Sequence, residues 1–132
     1  MKREKKNKQK QTEQRRYPRI EKAISMSLKG DHFSQVTKTK NISGSGAYCQ
    51  VSEPLREFSK LDVILLVPVA KKGKANVEKI HCRGVVVRSE RILCENGTPE
   101  KFFIAIYFTR LNSNDRLKLC RYISHQLTHG TL

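Results

Sequence analysis

The sequence has no apolar stretch long enough to cross a membrane. Its longest apolar run, Val63 to Ala70, is eight residues long and contains Pro68, whereas a membrane-spanning helix needs about 20 apolar residues. No apolar segment follows the charged N-terminus, so a secretory signal is not indicated. These two absences predict a cytoplasmic protein without a membrane span.

Cysteines are few, and they lack the spacing of a metal site or of a disulfide framework. They are separated by 33, 12 and 26 positions, with no Cys-x-x-Cys pair and no histidine at zinc-finger spacing (Cys49, Cys82, Cys94 and Cys120). We therefore expect buried or half-buried free thiols and no bound metal.

Catalytic motifs are also missing. The chain contains no Gly-x-Ser-x-Gly, no phosphate loop ending in Gly-Lys-Ser/Thr and no His-Glu-x-x-His. Carboxylates do not stand at suggestive offsets from the histidines, which are His32, His81, His125 and His129. The sequence therefore predicts neither an enzyme nor a cofactor.

Acidic residues are scarce relative to basic ones. Lys and Arg number 27 against 12 Asp and Glu, so the net charge is +15, and a partner that carries phosphates is the first to consider. Residues 1–22 hold ten basic side chains against three acidic ones, and the first nineteen residues have only Met1 and Tyr17 as apolar members. We predict a disordered basic arm over residues 1–13 and one compact domain over residues 14–130.

The remainder of the chain has the two-residue periodicity of short strands. Apolar residues alternate with polar ones from Ile20 to Leu28. Gly84 indicates a bend or a bulge, and Pro68 indicates a strand edge or a bulge. Further strands are predicted over residues 33–40, 47–51, 61–69, 77–88 and 102–108, and a turn over residues 41–46. Asn112, Ser113 or Asn114 could cap a C-terminal helix whose apolar side contains Leu117, Leu119, Cys120, Ile123 and Leu127. The predicted fold class is all-β with a C-terminal helix, namely a six-stranded antiparallel β-barrel.

The first short motif is Arg15-Arg16-Tyr17-Pro18-Arg19. Pro18 favours extended geometry at the residue before it, so the arginines project from an extended or turning segment rather than from one helical face. Each guanidinium offers a planar fork of donors that matches two phosphate oxygens or the O6 and N7 edge of guanine. These arginines suit a compact, anionic, guanine-bearing ligand, although they could also be part of a solvated basic arm.

The second motif is Asn41-x-Ser43-x-x-Gly46, which also contains Gly44. Asn and Ser supply acceptors and donors, and the two glycines permit positive φ and a close approach of main-chain amides to a ligand. The alternative is an ordinary hairpin loop in which the Asn and Ser side chains bond their own backbone.

Together, the two motifs ahead of and within this strand pattern resemble the signature of the PilZ domain family. Arg15 and Arg19 match its Arg-x-x-x-Arg, and Asn41, Ser43 and Gly46 match its Asp/Asn-x-Ser-x-x-Gly. The segments 83–88 and 103–108 are also similar to the family, so the likeness covers residues 14 to 128.

The resemblance implies a barrel that binds the bacterial second messenger cyclic di-GMP as a signalling receptor. The implied contacts come from the arginines and from the Asn-Ser-Gly loop, that is from Arg15, Arg16, Arg19, Asn41, Ser43, Gly44 and Gly46. We expect the ligand to order the arginine segment over the barrel and so change a surface that an unidentified downstream protein binds. Asn41 stands where the family more often has Asp, and Ala105 where it often has Gly; the part played by Arg88 is left open.

Two other functions remain open from the sequence. The net charge of +15 also suits a small barrel that binds RNA or DNA, although the aromatic residues fall on strand runs typical of a core (Phe33, Tyr48, Phe102, Phe103, Tyr107 and Phe108). The other is a nucleotide-independent adaptor of a membrane-associated machine, with the basic arm held near anionic lipid.

Overall fold

The computed structural model describes residues 17–93 and 100–129, without the side chains of Lys71 and His129. The predicted arm, Arg15, Arg16 and Cys94 lie outside the described residues. The elements are β1 (Ser25–Lys29), β2 (Ser34–Ile42), β3 (Gly46–Val51), β4 (Lys60–Lys71), β5 (Lys74–Ile92), β6 (Lys101–Arg110) and α1 (Ser113–His129).

The six strands close into an antiparallel barrel in the order β1-β2-β3-β6-β5-β4. Closure comes from β1, which pairs with β2 along one edge and with β4 along the other. Side chains alternate between the core and the surface along β4, so that Leu61, Val63 and Leu65 are buried while Asp62 faces outward. The predicted fold class is confirmed.

The first predicted strand begins later than expected. Ile20 does not belong to β1 but forms an isolated antiparallel bridge with Ile42, in which each main-chain N–H donates to the other residue's carbonyl at 2.9 Å. The Thr39 hydroxyl then fixes the connecting segment, because it accepts from the Ile24 amide at 2.9 Å and donates to the Lys22 carbonyl at 2.6 Å. The chain from Ile20 to Ile24, which directly follows the first motif, is therefore tied to β2.

The prediction that the second strand stops before Asn41 is wrong. β2 continues through Asn41 and Ile42, which pair with Tyr48 and Ala47 of β3 after a register shift between Thr39 and Asn41. Ile42 is fully buried in the core, and the burial of this side chain outweighs the turn propensity of its neighbours.

The hairpin of β4 and β5 extends beyond the barrel. β1 accompanies β4 as far as Leu66, whereas β5 pairs with β4 as far as Lys71, and the turn at Lys72 and Gly73 has positive φ at both residues. Pro68 lies in this extension, so its edge position is confirmed. The predicted bulge at Gly84 is also confirmed by a register shift against β6.

Helix α1 packs against one end of the barrel. Asn112 caps it, since its Oδ1 accepts from the Asp115 amide at 2.8 Å. Leu119 and Ile123 are buried in the core, whereas Leu117 and Leu127 are 50% and 45% exposed. The expected apolar face is therefore narrower than the sequence indicated, because only its central residues are fully buried. No helix among the described residues is long and apolar enough to span a membrane.

Candidate ligand-binding site

A cavity of about 220 Å³ lies on the outer surface of the barrel, beside the loop that joins β2 and β3. Its wall contains Arg19 of the first motif and Asn41, Ser43 and Gly46 of the second, together with Tyr48 and Arg88. Arg19 and Asn41 are 22 positions apart in sequence. The fold therefore brings described residues of both motifs to one place.

The bridge between Ile20 and Ile42 explains how Arg19 arrives there. Because the bridge is antiparallel, the residue before Ile20 lies beside the residue after Ile42, which is Ser43. Arg19 is exposed at the cavity wall, where its guanidinium is accessible to an anion.

Ser43 is nearly buried, and its hydroxyl is used inside the loop. Its Oγ accepts from the Ser45 amide at 3.1 Å and lies 3.2 Å from the Ser45 hydroxyl, while its own amide donates to the Gly46 carbonyl at 2.9 Å. These bonds are those of the ordinary hairpin alternative, and they also fix the shape of the loop. No hydrogen bond engages the Asn41 side chain within residues 17–93 and 100–129, so its amide is available at the cavity.

The two motif glycines are required for close packing rather than for positive φ. Neither has a positive φ, so that part of the sequence interpretation is wrong. A Cβ at Gly46 would lie 2.3 Å from the Ile106 carbonyl oxygen of β6, and a Cβ at Gly44 would lie 2.8 Å from both Cys120 Sγ and Tyr17 Cδ1. The backbone of the loop is thus packed against its neighbours without room for a side chain.

Tyr48 and Arg88 of the cavity wall belong to a cluster of aromatic and charged side chains. The Tyr48 hydroxyl donates to Glu90 Oε1 at 2.5 Å, and Arg88 Nε lies 3.1 Å from Glu90 Oε2. The Arg88 guanidinium is 5.7 Å from the centroid of the Tyr48 ring, which stacks on Phe103 at 5.5 Å. Burial, with the Glu90 carboxylate as a further cause, raises the pKa of Tyr48 to about 12, so Tyr48 remains a neutral donor.

The core assignment of the aromatic residues is therefore wrong in part. Phe33 and Phe108 are core residues, but Tyr107 is 52% exposed and Tyr48 lines the cavity. Ala47 and Cys49 are buried on the inner face of β3, so Tyr48 between them points outward. This alternation was visible in the sequence and could have identified Tyr48 as a surface residue; no sequence signal linked it to Glu90.

The expectation of buried or half-buried free thiols is confirmed for the three described cysteines. Cys49, Cys82 and Cys120 are free thiols, and burial raises the pKa of Cys49 and Cys82 to about 12. No group of metal-binding side chains occurs within the described part of the chain. A larger depression of about 870 Å³, with Lys29 and Arg83 in its wall, contains none of the predicted site residues.

The overall fold is similar to solved structures at low sequence identity. MotI/DgrA, the inhibitor of motility from Bacillus subtilis, matches with a TM-score of 0.71 and 19% identity over 87% of this chain and 52% of its own. The PilZ domain of YcgR from Escherichia coli, solved with c-di-GMP, matches with a TM-score of 0.61 and 14% identity over 89% of this chain and 93% of its own. The MrkH–c-di-GMP complex of K. pneumonia matches with a TM-score of 0.65 and 18% identity over 89% of this chain and 53% of its own.

The chain thus spans about half the length of MotI and MrkH, and nearly all of the YcgR domain. No curated protein matches it by sequence. The model of the PilZ domain family matches residues 13–125, which include both motifs, all six strands and most of α1. With this match and the barrel fold, the chain belongs to the PilZ domain family.

Proposed function

We propose that this protein is a receptor for cyclic di-GMP. The observation that carries the proposal is the single cavity shared by Arg19, Asn41 and Ser43, which come from two separate sequence motifs. Two solved proteins with the same fold, the YcgR domain and MrkH, were determined with c-di-GMP. The proposed contacts are the predicted ones, namely Arg15, Arg16, Arg19, Asn41, Ser43, Gly44 and Gly46.

The described side chains suit the chemistry of this ligand. Arg19 offers a fork of donors to phosphate or to the guanine edge, and the unengaged Asn41 amide offers both a donor and an acceptor to a base edge. Glu90 and the Tyr48 ring hold the Arg88 guanidinium, and Arg88 adds a second cation to the cavity wall. We therefore include Arg88 among the proposed ligand contacts.

The proposed consequence of binding is that the arginine segment closes over the cavity and changes the surface that a downstream protein binds. Ordering a few residues costs about 1 to 2 kcal/mol each, whereas each arginine to guanine contact contributes about 1 to 3 kcal/mol and phosphate contacts add more. We therefore expect a dissociation constant in the micromolar range, which corresponds to a binding free energy of about −8 kcal/mol.

Isothermal titration of the full chain with cyclic di-GMP tests the proposal. Arg19→Ala should weaken binding at least about tenfold, or about 1.4 kcal/mol, without changing the melting temperature of the unliganded protein. Lys22→Ala is the matched control, since it removes an exposed cation from the same segment but outside the cavity wall. A wild-type dissociation constant above about 100 µM, or equal loss in both variants, would contradict the proposal.

The net charge of +15 favours nucleic acid as the second candidate. A gel-shift series with RNA and DNA at increasing salt distinguishes the two functions, because phosphate-backbone binding weakens steeply with salt. Tight binding of this kind, with no response to cyclic di-GMP, would favour the second function.

A further inference from the structure

Helix α1 contacts both sequence motifs through one side chain. Arg116 Nη1 donates to the Gly44 carbonyl oxygen at 2.6 Å, and the Arg116 guanidinium carbon lies 5.2 Å from the centroid of the Tyr17 ring. Gly44 belongs to the loop between β2 and β3, and Tyr17 belongs to the segment that carries Arg15, Arg16 and Arg19. One guanidinium therefore joins the loop, the arginine segment and the helix.

The packing around this guanidinium leaves little room for independent movement. A Cβ on Gly44 would lie 2.8 Å from Tyr17 Cδ1 and 2.8 Å from Cys120 Sγ of α1. The Tyr17 ring and Cys120 of the helix thus both lie against the position that a Gly44 side chain would occupy. A shift of Tyr17 across the loop must be accompanied by a shift of Arg116 or of α1, because close-packed groups move together.

From this geometry we infer that Arg116 is a positioning residue for the candidate site and that α1 changes its environment when the site is occupied. The inference rests on the proposed function. Tyr17 is linked covalently to Arg16 and, through Pro18, to Arg19. A ligand that draws these arginines onto its phosphates therefore reorients the Tyr17 ring against the Arg116 guanidinium.

The chemistry of arginine suits this role better than that of lysine. Its planar group donates to a carbonyl in its own plane while its flat face lies against an aromatic ring, whereas an ammonium group has no flat face. The coupling also works in the reverse direction by thermodynamic linkage: a partner that holds α1 in one position alters the affinity for the ligand by the same factor.

Titration calorimetry with cyclic di-GMP tests the positioning role. Arg116→Ala and Tyr17→Leu should each weaken binding at least about tenfold, or about 1.4 kcal/mol, and Arg116→Lys should restore part of the loss. Arg121→Ala is the matched control, because it removes an exposed cation from the same helix away from both motifs. Urea unfolding of each unliganded variant shows whether the loss exceeds any general destabilisation; if Arg116→Ala fails to fold, Tyr17→Leu and Arg116→Lys provide the same comparison.

Fluorescence tests whether α1 responds to the ligand. The chain has no tryptophan, so Leu117→Trp places a single reporter at a half-exposed position next to Arg116. Saturating cyclic di-GMP should shift its emission, and the shift should vanish when Arg116→Ala is added. If the wild type binds no cyclic di-GMP, the proposed function fails and this inference fails with it. If the wild type binds, but Arg116→Ala binds within about twofold and the reporter is silent, the inference alone is wrong.

Discussion

Two roles are possible for Gly46, and they predict different effects of a substitution. A ligand contact predicts a loss of affinity with unchanged stability, whereas a packing requirement predicts a loss of stability in the unliganded protein. In Gly46→Ala, the new Cβ would lie 2.3 Å from the Ile106 carbonyl oxygen, closer than the 3.0 Å below which real Cβ contacts essentially never occur. The obstructing oxygen belongs to the backbone of β6, which pairs with Gly46 through Tyr107, so it cannot rotate away as a side chain would. The start of β3 must therefore separate from β6.

The separation stretches the neighbouring bond from the Phe108 amide to the Ser45 carbonyl, which is 2.8 Å long. Overpacking costs about 1 to 3 kcal/mol, and a weakened internal hydrogen bond costs about 0.5 to 1.5 kcal/mol, so the free energy of unfolding should fall by about 2 to 4 kcal/mol. That is a large part of the roughly 5 to 15 kcal/mol typical of a domain.

Urea unfolding followed by circular dichroism measures this loss in the unliganded protein. With a slope of about 1 to 3 kcal/mol per molar, the midpoint should fall by about 1 M or more. Gly73→Ala is the control: it has no atom within 4 Å of the added Cβ but a φ of +76°, so only the conformational cost of about 1 to 2 kcal/mol applies. A Gly46→Ala protein with the wild-type midpoint and no affinity for cyclic di-GMP would refute the packing argument and assign the glycine to the ligand.

Three further results follow from the described contacts. Thr39→Val should lower the free energy of unfolding by about 2 kcal/mol, because two main-chain groups lose their hydroxyl partner. Thr109→Val, at an exposed position, should change the free energy of unfolding by about 0.5 kcal/mol at most. Equal shifts of the urea midpoint in the two variants would contradict this prediction. The pKa values of Cys49 and Cys82 are raised to about 12 from 9.0, so at high pH the folded state holds protons that the unfolded chain releases. The contribution to stability should therefore be full below pH 9 and decline as the pH rises toward 12. A constant urea midpoint across that range would show that the pKa shifts are absent. Phe58→Asn should raise the free energy of unfolding by about 0.5 to 1 kcal/mol and so raise the melting temperature slightly, because Phe58 is 75% exposed at a φ of 71° and Asn adopts that region more readily. A lower melting temperature would assign a packing role to the Phe58 ring.

Structural features that depend on residues close together in the sequence were predicted well. The nearly continuous apolar run of residues 61–69 identified β4, and Asn112 was among the expected caps of α1. Strand ends were predicted less well, as β2 shows: Asn41 and Ile42 have turn-rich neighbours, yet the burial of Ile42 in the core retains both in the sheet. Local propensity is a weak signal when a tertiary contact opposes it.

The candidate site was predicted as a set of residue types but not as an arrangement. Arg19, Asn41 and Ser43 were chosen from their motifs, and they do line one cavity. Tyr48 was assigned to the core, and the part played by Arg88 was left open. The contacts of both residues with Glu90 were missed, because the three residues meet only when β3 and β5 lie on either side of β6.

By itself, the amino-acid sequence determined the periodicity of six strands and a helix, the excess of positive charge and the donors that the two motifs contain. These depend on the residue types and on their spacing of two or four positions, which fixes which side of an element each residue occupies. Only the tertiary structure decided which groups are neighbours: the bridge from Ile20 to Ile42 that brings Arg19 beside Ser43, and the reach of Arg116 to Gly44 across 72 positions. Such contacts depend on barrel closure and on where the helix packs, and no local pattern in the chain specifies them.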